Sequence, residues 1–233
     1  MQNERTVVIT DLHGCYDECQ RLLDKLSFDK TTDRLINLGD TIDRGPKIYE
    51  VFTFLRALKE EMGDRCVLLR GNHEQMMLDS LDGSRANKQL WYYNSGEKTK
   101  FAFISNKHQI KEFRDWYEAM PYYYTDPEGR FIGVHACLTD EDPENNTIET
   151  MIWGRETNYT GKLILTGHTP YRIPLYFYGN EPVGVIKEGQ WGKLPKEGMI
   201  GLDTGCVYGN RLTGMVIEED MFCVRSVGSS VKL

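Results

Sequence analysis

The pattern that decides the fold begins at residues 6–14, which read Thr6-Val7-Val8-Ile9-Thr10-Asp11-Leu12-His13-Gly14. The β-branched and apolar first half predicts a buried strand, and the second half predicts a loop at the carboxyl end of that strand. Asp11 and His13 are two residues apart, so on an extended backbone both side chains point to the same side. Gly14 then permits a sharp turn.

The same order of apolar strand and polar loop returns twice along the chain. Residues 34–38 run into residues 39–45, and residues 66–69 run into residues 70–74. Between these strands, apolar residues recur at helical spacing over residues 17–26 and 48–62, which predicts two helices. Strands that alternate with helices predict βαβ units and an α/β fold, in which the loops at the carboxyl ends of the strands carry the functional site.

The remainder of the chain divides into a helical part and a second set of strands. Residues 75–128 are expected to form a helical insertion that shapes the mouth of the site, with one helix over residues 101–120. Strand-like segments then precede His135, His168 and residue 203, and a hairpin is expected to close the fold over residues 212–227. No repeat or flexible linker divides the sequence, so residues 1–233 are expected to form one domain.

Composition limits the classes of protein to which the chain can belong. The net charge of −7 argues against a nucleic-acid duplex as partner, because binding a duplex requires a basic face. No apolar stretch reaches the roughly 20 residues that span a bilayer, so no membrane partner is expected. The first residues lack a signal-peptide pattern, and the six scattered cysteines lack zinc-finger spacing, which together predict a cytoplasmic protein with reduced thiols. The oligomeric state is left open.

Side chains that suit divalent metal ions follow the predicted strands. A carboxylate can bridge two cations, an amide offers a neutral oxygen, and imidazoles offer nitrogen. This mixed set suits manganese, iron or zinc better than calcium or magnesium, and the absence of a thiolate from it disfavours a structural zinc site. The candidate metal ligands are Asp11, His13, Asp40, Asn72, His135 and His168.

Three segments together resemble the signature of the phosphoprotein phosphatase family of metallophosphoesterases. They are Asp11-Leu12-His13-Gly14, Gly39-Asp40-Thr41-Ile42-Asp43-Arg44-Gly45 and Gly71-Asn72-His73-Glu74, and two later single histidines complete the signature in order. Residues 202–209 resemble the prokaryotic branch of this family, which includes small phage and bacterial protein phosphatases and diadenosine tetraphosphate hydrolases. The resemblance extends from residue 6 to about residue 215. It implies a calcineurin-like fold of two mixed β-sheets packed as a sandwich and flanked by helices.

The resemblance also implies a centre of two divalent ions, for which manganese is expected and iron or zinc are alternatives. The first ion would be bound by Asp11, His13 and Asp40, and the second by Asp40, Asn72, His135 and His168.

Five further residues receive roles from the resemblance. His73 would be the general acid that protonates the leaving oxygen, and Asp43 would orient it. Arg44 and Arg155 would hold the phosphoryl oxygens. Arg70, just before the Asn-His pair, would support either the residues around the metal ligands or the substrate.

These residues predict direct hydrolysis of a phosphate monoester by a hydroxide that bridges the metals, without a phosphoenzyme. The leading hypothesis for the substrate is phosphoserine or phosphothreonine in a protein, and the alternative is a dinucleoside polyphosphate such as diadenosine tetraphosphate. A non-catalytic phosphate-binding scaffold is disfavoured because none of the expected residues is missing. The aromatic clusters at residues 91–93 and 122–124 are interpreted as packing within the insertion, with base stacking or peptide binding as the alternative.

Overall fold

The computed structural model describes residues 5–231, in which strands and helices alternate along most of the chain. The strands are β1 (Thr6–Ile9), β2 (Arg34–Asn37), β3 (Cys66–Leu68), β4 (Tyr123–Thr125), β5 (Ile132–Val134), β6 (Ile164–Thr166), β7 (Leu175–Tyr178), β8 (Glu181–Val185), β9 (Trp191–Lys193), β10 (Met199–Gly201), β11 (Arg211–Glu218) and β12 (Met221–Gly228). The helices are α1 (Tyr16–Lys25), α2 (Ile48–Met62), α3 (Asn72–Leu81), α4 (Arg85–Tyr93), α5 (Gly96–Ser105), α6 (Arg114–Glu118) and α7 (Ile148–Trp153). None of these helices is long and apolar enough to cross a membrane.

Two six-stranded sheets are present, in the orders β3-β2-β1-β11-β12-β9 and β4-β5-β6-β10-β7-β8. In the first sheet β1, β2 and β3 run parallel, and in the second sheet β5, β6 and β10 run parallel. The other strand pairs are antiparallel, so both sheets are mixed. Each parallel set ends in loops on a single edge of its sheet, where the predicted site residues lie.

The two sheets pack face to face around a fully buried apolar layer. Val8 and Ile36 of the first sheet belong to the same cluster as Leu165 and Ile200 of the second. The neighbours of Val8 in β1 point the opposite way, into a second cluster formed with the helices, because successive side chains in a strand alternate between faces. Each such buried aliphatic side chain contributes about 1.5–3 kcal/mol. The α/β sandwich predicted from the sequence is thereby confirmed.

Three segments differ from the sequence-based expectations. The single helix over residues 101–120 is wrong: α5 ends at Ser105, and Lys107 has a φ of 65°, which a continuous helix does not allow. Residues 123–125, at the end of the predicted helical insertion, form strand β4 and pair with β5. Strands β7, β8 and β9 were not anticipated, whereas the closing hairpin forms as β11 and β12.

Candidate metal centre and active site

The loops that follow β1, β2, β3, β5 and β6 bring the six predicted metal ligands into one buried cluster, formed by Asp11, His13, Asp40, Asn72, His135 and His168. Asp40 lies at its middle. One carboxylate oxygen of Asp40, Oδ2, is 3.5 Å from Nε2 of His13 and 3.4 Å from Nε2 of His135. These two histidines follow strands of different sheets, so Asp40 lies where the two halves of the sandwich meet.

Two groups of potential ligands share Asp40. The ligand atoms of His13, Asp40 and His73 lie within 4.8 Å of one another, and the same is true of Asp40, His135 and His168. The Oδ1 atom of Asn72 is 3.0 Å from Nε2 of His135 and 3.0 Å from Nδ1 of His168, which places the amide in the second group. A carboxylate that belongs to both groups is positioned to bridge two ions.

Asp11 connects the first sheet to the second. Its carboxylate accepts hydrogen bonds from the backbone N–H of His168, at 3.2 and 3.1 Å, and from the hydroxyl of Thr10. Gly167 lies directly above this contact, and a β-carbon at that position would overlap Oδ2 of Asp11 and Oγ1 of Thr10. The loop after β6 can therefore approach the loop after β1 only because residue 167 has no side chain.

Backbone carbonyls orient two of the imidazole rings. Nδ1 of His13 lies 2.7 Å from the carbonyl oxygen of Ile42, and Nδ1 of His135 lies 2.9 Å from that of Leu38. A carbonyl only accepts hydrogen bonds, so in both rings it selects a proton on Nδ1. The Nε2 atoms then face Asp40, and this arrangement is common among metal-binding histidines.

The electrostatics of the cluster fit bound cations. Burial and the charge of Asp203 raise the pKa of Asp11, and burial together with the nearby Asp40 raises the pKa of Asp203 to about 6. Burial opposes ionisation of Asp40 as well, but the imidazoles of His135 and His73 bring its pKa well below the usual range. Three carboxylates buried so close together repel one another, and divalent ions would remove that repulsion.

The pKa values of the histidines in the cluster are shifted in opposite directions. Burial lowers the pKa of His13 well below its ordinary value, and burial and the charge of His135 lower the pKa of His168 to about 3. Burial also acts to lower the pKa of His135, but the charge of Asp40 outweighs it and raises this pKa to about 9. Nε2 of His168 is buried without a hydrogen-bond partner among the described residues. A neutral, buried imidazole whose Nδ1 faces the amide oxygen of Asn72 is suited to a metal, so the residues present fit a pair of divalent ions.

His73 forms a buried pair with Asp43 beside the cluster. Nδ1 of His73 is 2.6 Å from Oδ2 of Asp43, whereas its Nε2 is buried and has no hydrogen-bond partner among residues 5–231. The indole Nε1 of Trp91 lies 3.2 and 3.1 Å from the two oxygens of Asp43, and the hydroxyl of Thr99 donates to Oδ1. The pair is thus held from the side of the insertion, with the free nitrogen of His73 available to a ligand.

Four residues near the site received no functional role from the sequence. Both carboxylate oxygens of Glu74 accept backbone hydrogen bonds from the loops around the cluster, at 2.7–3.0 Å, and so fix the loop that carries Asp40. Asp203 adds a buried carboxylate. Trp91 and Thr99 hold Asp43. Glu74 lies inside a quoted motif and Asp203 follows a predicted strand, so both carried a signal, whereas Trp91 and Thr99 are brought in only by tertiary structure.

The three predicted arginines have different surroundings. Arg44 lies at the edge of the cluster, with Nη1 2.7 Å from Nε2 of His13 and its guanidinium 5.4 Å from the ring centre of Tyr208. Arg155 is exposed, and its Nη1 is 3.3 Å from the hydroxyl oxygen of Thr169.

Arg70, in contrast, is buried and directed at the insertion. Its guanidinium donates to the carbonyl of Glu118, to Gln75 at 3.0 Å and to the hydroxyl of Tyr122 at 2.7 Å. These contacts oppose the predicted role in substrate binding, because a guanidinium committed to them is not presented to a phosphoryl group. They indicate that Arg70 joins the insertion to the sandwich, with Tyr122 packing in support.

The backbone of the site is strained. A positive φ is unfavourable for a residue with a β-carbon, and residues held in this region cluster at functional sites. Ten described non-glycine residues have a positive φ, and six of them are predicted site residues: Asp11, His13, Asp40, Asp43, Arg44 and His168.

Comparisons with known proteins identify a family and a fold. Residues 4–190 match the calcineurin-like phosphoesterase family. The chain is 32% identical to a symmetrical bis(5'-nucleosyl)-tetraphosphatase of Klebsiella pneumoniae, over 93% of each chain. It is 29% identical to the symmetrical bis(5'-nucleosyl)-tetraphosphatase of Psychromonas ingrahamii over 76% of its own residues, and it spans 57% of that protein's length. A protein serine/threonine phosphatase of Saccharomyces cerevisiae has the same fold, with a TM-score of 0.70 and 14% identity over 100% of this chain and 82% of the other.

Proposed function

The chain belongs to the calcineurin-like phosphoesterase family, and we propose that it hydrolyses dinucleoside polyphosphates such as diadenosine tetraphosphate. Membership of this family makes it a metal-dependent phosphoesterase, as the sequence motifs predicted. The substrate proposed here is the alternative from the sequence rather than the phosphoprotein that the motifs alone favoured. It is supported by the names of the two relatives compared above, both tetraphosphatases, whereas the similarity to a protein phosphatase, at 14% identity, concerns the fold alone.

One observation carries the catalytic part of the proposal. A single carboxylate oxygen of Asp40 lies 3.5 Å from Nε2 of His13 and 3.4 Å from Nε2 of His135, two histidines that the proposal assigns to different ions. We assign the ligands as predicted: Asp11, His13 and Asp40 for one ion, and Asp40, Asn72, His135 and His168 for the other. Manganese is proposed, with iron or zinc as alternatives, because the donors mix nitrogen and oxygen. When bound, the ions would activate the attacking water and neutralise phosphoryl charge.

His73 supplies the proton in this proposal. Its unpartnered Nε2 donates a proton to the oxygen of the departing group, while Asp43 accepts a hydrogen bond from Nδ1 and stabilises the positive charge of the protonated ring. Trp91 and Thr99 keep Asp43 in place. A nucleoside diphosphate is a better leaving group than an alkoxide, so the reaction on a polyphosphate depends less on His73 than hydrolysis of an alkyl phosphate does.

Arg44 and Arg155 are assigned to the phosphoryl oxygens. Both guanidiniums lie beside the cluster without a carboxylate within 4.0 Å among the described residues, so their charge is available to an anion. They also supply positive charge in a protein whose net charge is −7. Arg70 is not included, because its hydrogen bonds are made with the insertion.

The test is a comparison of substrates with the manganese-loaded protein. Diadenosine tetraphosphate, a phosphoserine peptide and p-nitrophenyl phosphate are offered separately, and kcat/KM is measured for each. We expect the dinucleotide to be cleaved at least tenfold more efficiently than the peptide, with ADP as the sole nucleotide product if cleavage is symmetrical. Asp40→Asn controls for contaminating activity. A peptide turned over faster than the dinucleotide would reject the proposed substrate and restore the phosphoprotein hypothesis.

A further inference from the structure

A cavity of about 690 Å³ lies inside the helical insertion, away from the metal ligands. This half-open cavity is lined by the end of α3, by α4 and α5, and by residues 107–112. Its walls include the apolar side chains of Leu81, Trp91, Ile104 and Ile110. The volume is in the range of pockets that hold small organic ligands, and apolar walls of this kind suit a flat ring.

The cavity is cationic in an otherwise acidic protein. Lys88, Lys100, Lys107 and Lys111 all line it. Within the described part of the chain, none of these four ammonium groups has a carboxylate within 4.0 Å. The one carboxylate of the lining, that of Glu112, is 3.0 Å from Nδ1 of His108. Positive charge that is not neutralised internally attracts an anion.

Two of the lysines are arranged around an aromatic ring. The ammonium groups of Lys88 and Lys100 are 5.5 and 5.8 Å from the ring centre of Tyr92, and that of Lys100 is 3.2 Å from its hydroxyl. These contacts keep both charges at the mouth of the cavity. Apolar walls with a cationic mouth match a ligand that has an aromatic body and anionic groups. A nucleoside phosphate is such a ligand.

Trp91 separates the cavity from the catalytic acid. Its indole lines the cavity, and its Nε1 donates to Asp43, the partner of His73. On its other side the indole packs directly against Gly96, so closely that a β-carbon at residue 96 would overlap the ring. The indole therefore has little room to move in that direction. A ligand that presses on the indole is therefore two contacts away from the proton donor of the reaction.

We propose that this cavity is a second nucleotide site, distinct from the metal centre, which binds a nucleoside diphosphate and alters turnover through Trp91 and Asp43. The choice of a nucleotide rests on the proposed function, because ADP is the product of symmetrical cleavage. The site would make the enzyme responsive to the nucleotide that it generates.

The first experiment measures binding of ADP by calorimetry in excess EDTA, so that no metal ion can hold the phosphates. We expect saturable binding at one site, weakened at least tenfold in Lys88→Glu/Lys107→Glu. The matched control is Lys193→Glu/Lys196→Glu, which makes the same change of charge at exposed lysines elsewhere and should bind as the parent protein does. Equal binding by both double variants, or no binding by the parent, would overturn the site.

Two further ligands test whether the cavity recognises a nucleotide rather than any anion, and one variant tests whether the nucleotide binds in the cavity rather than at the metal centre. Adenosine and inorganic pyrophosphate should each bind more weakly than ADP, and pyrophosphate binding as tightly as ADP would refute a nucleotide site. Arg44→Ala should leave ADP binding in EDTA unchanged, because Arg44 lies at the metal centre. If binding disappears in Arg44→Ala, the nucleotide occupies the centre and not the cavity.

The effect on turnover is measured with p-nitrophenyl phosphate and manganese. ADP should change kcat at saturating substrate in the parent protein and should not change it in Lys88→Glu/Lys107→Glu, whose turnover without ADP should match that of the parent. A change in KM alone would mean that ADP only competes at the metal centre, which contradicts the proposal. These measurements do not use a dinucleotide, so failure of the proposed substrate and failure of this inference are seen separately.

Discussion

Substituting Gly167→Ala should disable the enzyme through the contact between the two sheets. Residue 167 lies against Asp11, whose carboxylate accepts hydrogen bonds from the backbone N–H of His168. A β-carbon at residue 167 would overlap Oδ2 of Asp11 and Oγ1 of Thr10. Neither atom can withdraw freely, because both side chains are buried.

The magnitude follows from the displacement that the new methyl group requires. The new β-carbon would lie 2.1 Å from each of these two oxygens. Restoring a normal van der Waals separation of about 3.5 Å therefore takes a shift of roughly 1.4 Å by Asp11 or by the loop that carries His168. A misplacement of about 1 Å at a reacting centre lowers the rate by roughly 10²-fold. Overpacking of a buried site costs about 1–3 kcal/mol of folding free energy, so the variant should fold with a lowered Tm.

The assay compares metal content, Tm and hydrolysis of p-nitrophenyl phosphate for Gly167→Ala and for Gly228→Ala. At Gly228 a β-carbon meets no atom within 4 Å, so the second variant introduces the same methyl group without a clash. We expect about a 10²-fold loss of kcat/KM for Gly167→Ala, with weaker metal binding, and nearly full activity for Gly228→Ala. Gly167→Ala with two bound ions and activity within threefold of the parent would refute the reasoning.

Three further predictions address the centre itself. His73→Asn should keep its metal ions but lose about 10²–10⁴-fold in kcat on an alkyl phosphate. The loss should be much smaller on p-nitrophenyl phosphate, because p-nitrophenolate leaves without needing a proton. Equal losses on both substrates would exclude a general acid. Asp40→Asn should lose metal and nearly all activity, as measured by elemental analysis and hydrolysis, and two tightly held ions in this variant would contradict a bridging role. In metal-free protein, the pKa of His168 is lowered to about 3 from an ordinary 6.5, so below pH 6.5 the unfolded chain binds a proton that the folded chain does not. The free energy of unfolding should then fall by up to about 1.4 kcal/mol per pH unit on acidification, and His168→Asn should show a shallower dependence in denaturant titrations at pH 6.5 and 5; identical slopes would argue against it.

Much of the centre was predictable because each ligand follows directly on a buried strand. Residues 7–9, 35–36 and 66–68 are apolar, and each run is followed within a few residues by a polar motif. These polar motifs come together in the folded protein, since the carboxyl ends of parallel strands meet at one edge of the sheet. The six candidate ligands accordingly lie close together in the structure, and their role as ligands stays a prediction.

The parts that escaped prediction lack such signals. Strand β8 is exposed throughout, and Pro182 and Gly184, two residue types that are depleted in strands, interrupt its two valines, so the sequence does not mark it as a strand. Lys107 has a left-handed backbone that ends the helical pattern, and nothing in the local sequence predicts that conformation for a lysine. The contact between Trp91 and Asp43 joins residues 48 positions apart and exists only once the insertion has packed. Local sequence patterns thus predict the residues of the centre better than they predict the tertiary contacts that hold those residues in place.

The six left-handed residues of the centre have a consequence for laboratory evolution. Each such residue costs on the order of 1–3 kcal/mol, and glycine can adopt the same backbone with little penalty. A library selected only for survival at high temperature should therefore accumulate glycine at these positions and yield robust proteins without activity. Selection for heat resistance in this enzyme needs a simultaneous screen for turnover, because the same six residues limit its stability through their backbone conformation and supply its catalytic side chains.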